Sequence, residues 1–201
     1  MGLLTGSASL TRFAVSGELP ASPWDFIAQQ IEKHSFRDID DTMDELSVGW
    51  VSTANMFDAS FAFSSYAAGD HVALTMRVDE RRVSSAVLKK FCMKEEKRLM
   101  AERQVPRLAK AARAEIRERV QAELLRKSPP VPATYDLAWH VGEGLVLFFS
   151  TGKKAIALVE DLFRESFGLG LELQIPWRVA EHMADEPAQA VLNELQPAVF
   201  L

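Results

Sequence analysis

The sequence is poor in the residues that carry covalent or metal chemistry. Cys92 is the one cysteine in 201 residues, so no internal disulfide can form. Its place beside Phe91 on an apolar stripe reads as a buried structural thiol. The histidines at positions 34, 71, 140 and 182 share no metal-ligand spacing. No apolar run approaches the roughly 20 residues needed to cross a bilayer. The opening Met1-Gly2-Leu3-Leu4-Thr5-Gly6 has neither a charged leader nor a signal-length apolar run. A membrane span and export are therefore not expected, and the cytoplasm is the expected compartment.

A nucleotide-binding loop is missing as well. Gly152-Lys153-Lys154 resembles the end of one, but the glycine required five residues earlier would fall at Leu147. A milder reading remains, in which the first amides of the following helix and Lys153 hold a single phosphate; a plain helix cap is the competing one. Asp38, Asp40, Asp41, Asp44 and Glu45 could hold Mg²⁺ for nuclease chemistry, yet no second acidic motif at a strand end accompanies them. The cluster reads better as a solvated acidic loop. Neither a catalytic residue nor a cofactor is expected.

What is present is an uneven charge distribution. The chain carries −5 overall, but residues 77–127 carry +8 and the remainder −13. A basic segment on an acidic body is the electrostatic footprint of a protein that meets a polyanion, because Lys and Arg that neutralise phosphates release condensed counterions. The competing reading is a solvated helical surface laced with ion pairs, as Lys94-Glu95-Glu96-Lys97-Arg98 suggests.

Hydrophobic periodicity divides the chain in three. Residues 10–16 read as a strand. A helix capped at Ser22 follows, with Pro23 in its first turn and Trp24, Ile27 and Ile31 on one stripe. Residues 48–52 form a short strand, and 71–78 alternate so that Val72, Leu74, Met76 and Val78 face a core while His71, Thr75 and Arg77 face away. From Val87 to Leu124 the period becomes helical. Val87, Leu88, Phe91, Cys92, Leu99 and Met100 form one stripe; Leu108, Ala112, Ile116, Val120 and Leu124 form a second that can zip against it. The break falls at Gln104-Val105-Pro106, with Pro106 opening the second helix. Ser128-Pro129-Pro130-Val131-Pro132 leads back to the body.

Strands at 135–141 and 145–149 then form a hairpin about Gly142-Glu143-Gly144. A helix capped by Ser150 or Thr151 runs from Lys153 to Phe167 on Ile156, Val159, Phe163 and Phe167. A last strand spans 171–177, and residues 187–195 form a short terminal helix. The expected fold class is α+β. It comprises two small antiparallel or mixed sheets, βαββ over residues 1–80 and ββαβ over 131–201, each with a covering helix, and a protruding long helical hairpin over 81–130.

The order of these elements resembles a known family. Val48-Gly49-Trp50-Val51, the strand at 71–78, the Lys94-Glu95-Glu96-Lys97 helix, the Val131-Pro132 return and the Trp139 strand are similar in order and spacing to the RdgC recombination-associated proteins of bacteria. So are Leu145-Val146-Leu147, the Ser150-Thr151-Gly152-Lys153-Lys154 helix start, and Phe167-Gly168-Leu169 leading to Leu173-Gln174-Ile175-Pro176. The resemblance spans about residues 8–180 and rests on collinearity, not on one diagnostic motif.

It implies a nucleoid-associated protein that binds double-stranded DNA without strong sequence preference, forms ring-shaped homodimers around the duplex and restrains recombinase filaments. The family also carries an exonuclease label, but no catalytic residues come with it. Longer members continue for about another hundred residues in a segment that helps close the ring, so this chain is expected to be a short form, with Val105 and Leu108 at the hairpin tip as candidate dimer contacts. Ala198-Val199-Phe200-Leu201 is a candidate docking tail, with packing on its own body as the alternative.

The DNA-contacting candidates are the basic positions on and beside the helices: Arg77, Arg81, Arg82, Lys89, Lys90, Lys94, Lys97, Arg98, Arg103, Arg107, Lys110, Arg113 and Arg117, with Lys153 from the milder phosphate reading. Helical phase groups Lys90, Lys94, Lys97 and Arg98 on one side of the first helix and Lys110, Arg113 and Arg117 on one side of the second. The alternative function is a protein-interaction module that uses the hairpin as a coiled-coil arm.

Overall fold

The computed structural model describes residues 2–4, 8–61 and 65–195. Its strands are β1 (Thr11–Ser16), β2 (Leu46–Val51), β3 (Ala67–Ala68), β4 (His71–Arg81), β5 (Pro130–His140), β6 (Leu145–Phe148) and β7 (Gly170–Leu173). The helices are α1 (Pro23–Lys33), α2 (Ser85–Arg103), α3 (Lys110–Lys127), α4 (Lys153–Phe167), α5 (Pro176–Met183) and α6 (Glu186–Glu194).

The fold is α+β, but the two expected sheets are one. All seven strands join a single antiparallel sheet in the order β2-β4-β5-β6-β1-β7, with β3 pairing β4 at one end. Two pairings across the expected boundary cause the merger. β4 and β5 run together over eleven residue pairs, from His71 opposite His140 to Arg81 opposite Pro130. β1 lies between β6 and β7, with Thr11 opposite Phe148 and Phe13 opposite Leu173. Long ladders leave fewer unpaired N–H and C=O edges than two small sheets would.

α1 and α4 pack on the same face of this sheet instead of covering one sheet each. Trp50, Leu74, Met76, Val78, Leu137, Trp139, Val146, Phe148 and Phe13 point toward Ile27 and Ile31 of α1 and Val159, Phe163 and Phe167 of α4, forming the main core. Trp139 meets the rings of Phe163 and Phe167 at centroid distances of 5.1 and 5.2 Å. Trp50 Nε1 donates a buried 2.8 Å hydrogen bond to Ser166 Oγ, so the indole gains burial without an orphaned N–H.

The other face of β4 is also buried, although the alternation predicted it to look outward. Thr75, Arg77, Asp79 and Arg81 lie there under the segment at 36–44 and the loop at 52–61. Gly49 makes this cover possible: a Cβ at that position would lie 2.5 Å from the Phe36 Cα.

α2 and α3 share an apolar cluster of their own. Leu108, Ile116 and Val120 are buried in it, with Leu88, Cys92, Leu99, Met100, Ala112 and Leu124 packed against them. Ser84 caps α2 by accepting the Val87 N–H, and Gln104 ends it in a left-handed conformation with φ 53°. Two boundaries and one packing detail differ from expectation here. α3 begins at Lys110 and not at Pro106, because Leu108 anchors the connector in the cluster first. Val87 and Phe91 lie outside that cluster and are exposed. The strand expected over 171–177 stops at Leu173; Pro176, which cannot donate to a ladder, opens α5, and Trp177 is helical.

Candidate nucleic-acid interface

The structure sorts the basic residues into three populations: buried, ion-paired, and exposed without an ion pair among the described residues. Arg77 and Arg81 are built into the fold and drop out of the surface set. Arg77 is 6 % exposed; its Nε and Nη2 meet both oxygens of Asp79 at 2.8 and 2.6 Å, and Nη1 donates to the Met56 carbonyl at 3.3 Å. The guanidinium stacks on Phe36 at 4.1 Å and approaches Phe57 at 5.4 Å. The hydrogen bonds that Arg77 donates to the Asp79 carboxylate make the guanidinium hold its proton even more firmly than usual.

Arg81 acts as a backbone clamp. Nε donates to the Asp44 carbonyl at 3.0 Å, and Nη2 donates to the carbonyls of Ile39, Asp40 and Thr42 at 2.7, 3.2 and 3.1 Å. Nη1 donates to the Ser128 carbonyl. One side chain thereby fastens the acidic loop at 38–45 and the exit of α3 to the end of β4. Both arginines are buried and spend their hydrogen bonds on groups inside the protein.

This clamp also decides the form of the acidic cluster. Its carbonyls turn inward to Arg81. Asp38 Oδ1 accepts the Asp40 N–H at 2.7 Å and Asp44 Oδ2 accepts the Thr42 hydroxyl at 3.0 Å. Among the described residues no three His, Cys, Asp or Glu side chains converge as a metal-ligand group.

Ion pairs occupy a second set of cations. Arg82 and Lys154 share Glu80 at 2.6 and 2.7 Å, which ties the end of β4 to the start of α4 and holds the Glu80 carboxyl below its usual range. Arg98 and Arg119 share Glu95 at 2.7 and 2.6 Å, and Arg98 also reaches Glu102 at 3.5 Å. Arg98 is therefore neutralised on its own helix and linked through Glu95 to α3.

The remaining candidates are exposed and free of ion pairs among the described residues: Lys89, Lys90, Lys94 and Lys97 on α2, Arg103 at its end, Arg107 in the connector, and Lys110, Arg113 and Arg117 on α3. Lys153, at the exposed start of α4, is unpaired as well. α4 is capped by Gly152 with no side-chain cap, and Ser150 Oγ instead accepts the Gly152 N–H at 3.2 Å.

The two helices arrange these free cations in a way that the sequence did not indicate. Lys89, Lys110, Arg113 and Arg117 line one interhelical groove of about 750 Å³ with Glu96 as its lone acid; Leu88, Cys92, Met93 and Ala114 lie between them. Lys90, Lys94 and Lys97 do share a side of α2, but at 100° per residue that side lies about a third of a turn from the groove. The basic surface thus has a cationic groove and a separate lysine stripe. Of the two candidate dimer contacts, Leu108 is buried in its own cluster and Val105 is exposed. The tail at 198–201 lies outside the described residues.

No described helix is long and apolar enough to cross a membrane. Across residues 9–190 the chain matches the model of a family described as "Putative exonuclease, RdgC". No curated protein matches the chain.

Proposed function

The chain belongs to the RdgC family, and from that premise we propose that it is a recombination-associated protein that grips duplex DNA through α2 and α3 without cleaving it. The observation that carries this reading is the set of exposed, unpaired cations on those helices, on a chain whose net charge is −5. An acidic protein that leaves so many cations unpaired in one region bears the cost of their mutual repulsion, which a polyanion relieves. Backbone phosphates then supply affinity without sequence readout. The helices act as a protruding hairpin, two copies pair through the exposed Val105 turn, and occupation of the duplex restrains recombinase assembly there.

The test is binding to a labelled duplex of about 40 base pairs across a salt series with Mg²⁺ present, followed by analysis of DNA length. Engagement of six phosphates gives a log–log salt slope of about −5, and removal of one contacting Lys or Arg lowers its magnitude by roughly one. Intact DNA after salt-sensitive binding is the expected result. Progressive shortening would replace this reading with the exonuclease chemistry of the family description, and absence of binding at low salt would remove the DNA reading altogether.

A further inference from the structure

Recognition of a DNA backbone leaves one part of the α2/α3 surface unused. Phosphates meet cations at their tips, whereas the bottom of the interhelical groove is apolar. Leu88, Cys92, Met93 and Ala114 form this floor, which continues into the cluster holding the helices together, and Met93 is 61 % exposed. A large exposed apolar side chain lining a cationic groove suits a ligand that is itself apolar on one side and acidic on the other.

We infer that this groove docks an acidic amphipathic helix from a protein partner, with its apolar residues on the floor and its Asp and Glu side chains against Lys89, Lys110, Arg113 and Arg117. The groove volume of about 750 Å³ falls within the range of about 300–1,000 Å³ of sites that bury a ligand. Four unpaired cations against Glu96 give the rim a charge of +3 among its lining residues, and this favours an anionic partner. Helix-in-groove recognition seats apolar anchors at i, i+3 or i+4 spacing, and Leu88 and Cys92, four residues apart on α2 with Met93 beside them, give such anchors apolar surface to meet. Glu96 sets the register, since an acidic residue opposite it is repelled and a Lys or Arg there is favoured. Duplex DNA offers the rim the same charge but nothing for the floor.

The experiment is fluorescence anisotropy of the full chain with a labelled synthetic helix of roughly four turns, Leu and Phe on one face and Glu on the other. One control peptide replaces Glu with Gln, and a second replaces Leu and Phe with Ser. The acidic amphipathic peptide is expected to saturate the protein, and each control to bind at least tenfold more weakly. Met93→Ser should weaken the peptide at least fivefold and leave duplex affinity unchanged; the double variant Arg113→Glu, Arg117→Glu should abolish peptide binding. Each variant is checked for helicity, and if Met93→Ser loses it, Ala114→Gln, which fills the floor from α3, takes its place. Peptide binding that survives loss of the apolar face, or a floor variant that weakens duplex and peptide equally, would overturn the inference and make the groove a seat for nucleic acid alone.

Discussion

Arg77 and Asp79 stand two residues apart on the same buried face of β4 and meet through two hydrogen bonds of 2.6 and 2.8 Å, with the guanidinium stacked on Phe36. The pair is an internal girder of the sheet. Truncating Arg77 leaves the Asp79 charge buried and uncompensated, at a cost of about 3–5 kcal/mol; truncating Asp79 costs less, because Arg77 keeps the more exposed Asp38 at 3.8 Å. Arg77→Ala and Asp79→Ala should each shift the urea midpoint accordingly. At temperatures where the variants remain folded, their DNA affinity should equal that of the parent; a selective loss of binding at full stability would place Arg77 on the DNA surface after all.

Gly49→Ala tests the cover over that face. The added methyl meets the Phe36 backbone at 2.5 Å, and backbone cannot move aside as a flexible side chain can. Overpacking of this kind costs about 1–3 kcal/mol, and the Arg77–Phe36 stack should loosen with it. Calorimetry that shows no fall in Tm would mean that the segment at 34–36 is not held against β2.

Leu108→Ala should affect the molecule unevenly. The side chain anchors the connector to Ile116 and Val120, in a cluster separate from the main core, and such a truncation costs about 2–5 kcal/mol. Hydrogen exchange should accelerate throughout α2 and α3 while the amides of β4 and β5 keep their protection. Uniform acceleration would show that helices and sheet unfold as one unit.

Glu80 predicts a pH effect. Hydrogen bonds from Lys154 and then Arg82 depress its pKa below the ordinary 4.5. A depressed folded-state pKa gives stability that is present above pH 4.5 and lost as pH falls through the lower folded value. The side chain is 25 % exposed, so the contribution is under about 1 kcal/mol. Urea titrations at pH 7 and pH 3 should show a smaller acid-induced loss for Glu80→Gln than for the parent; identical losses would count against the bridge.

Local pattern made most of the elements legible. Val72, Leu74, Met76 and Val78 alternate, and Val159, Phe163 and Phe167 recur at helical spacing, because each residue's neighbours in the chain are also its neighbours on the face. Register across the sheet has no such local signature: nothing near Thr11 says that it lies opposite Phe148, so the pattern points to two sheets where the protein builds one. Arg77 and Arg81 misled for a related reason. Charge suggested solvent, while their burial depends on carbonyls and carboxylates supplied by other segments. Phase along one helix groups Lys90, Lys94, Lys97 and Arg98, but it does not show that Glu95 and Glu102 pair Arg98. The groove needed the azimuth of α3 against α2, which places Lys89 with Lys110, Arg113 and Arg117 and which a single helical wheel does not contain.

The position of β1 constrains the order in which the protein can be made. Its two ladder partners are β6 and β7, so Thr11–Ser16 leaves the ribosome about 130 residues before either is complete. At 5–20 residues per second that interval is roughly 10 s. Throughout it Phe13, fully buried in the finished sheet, has no strand to lie against. Closure through β1 is a late, long-range event, and a nascent chain stalled anywhere before β6 carries an unpaired strand that a chaperone, or a neighbouring chain, can capture first.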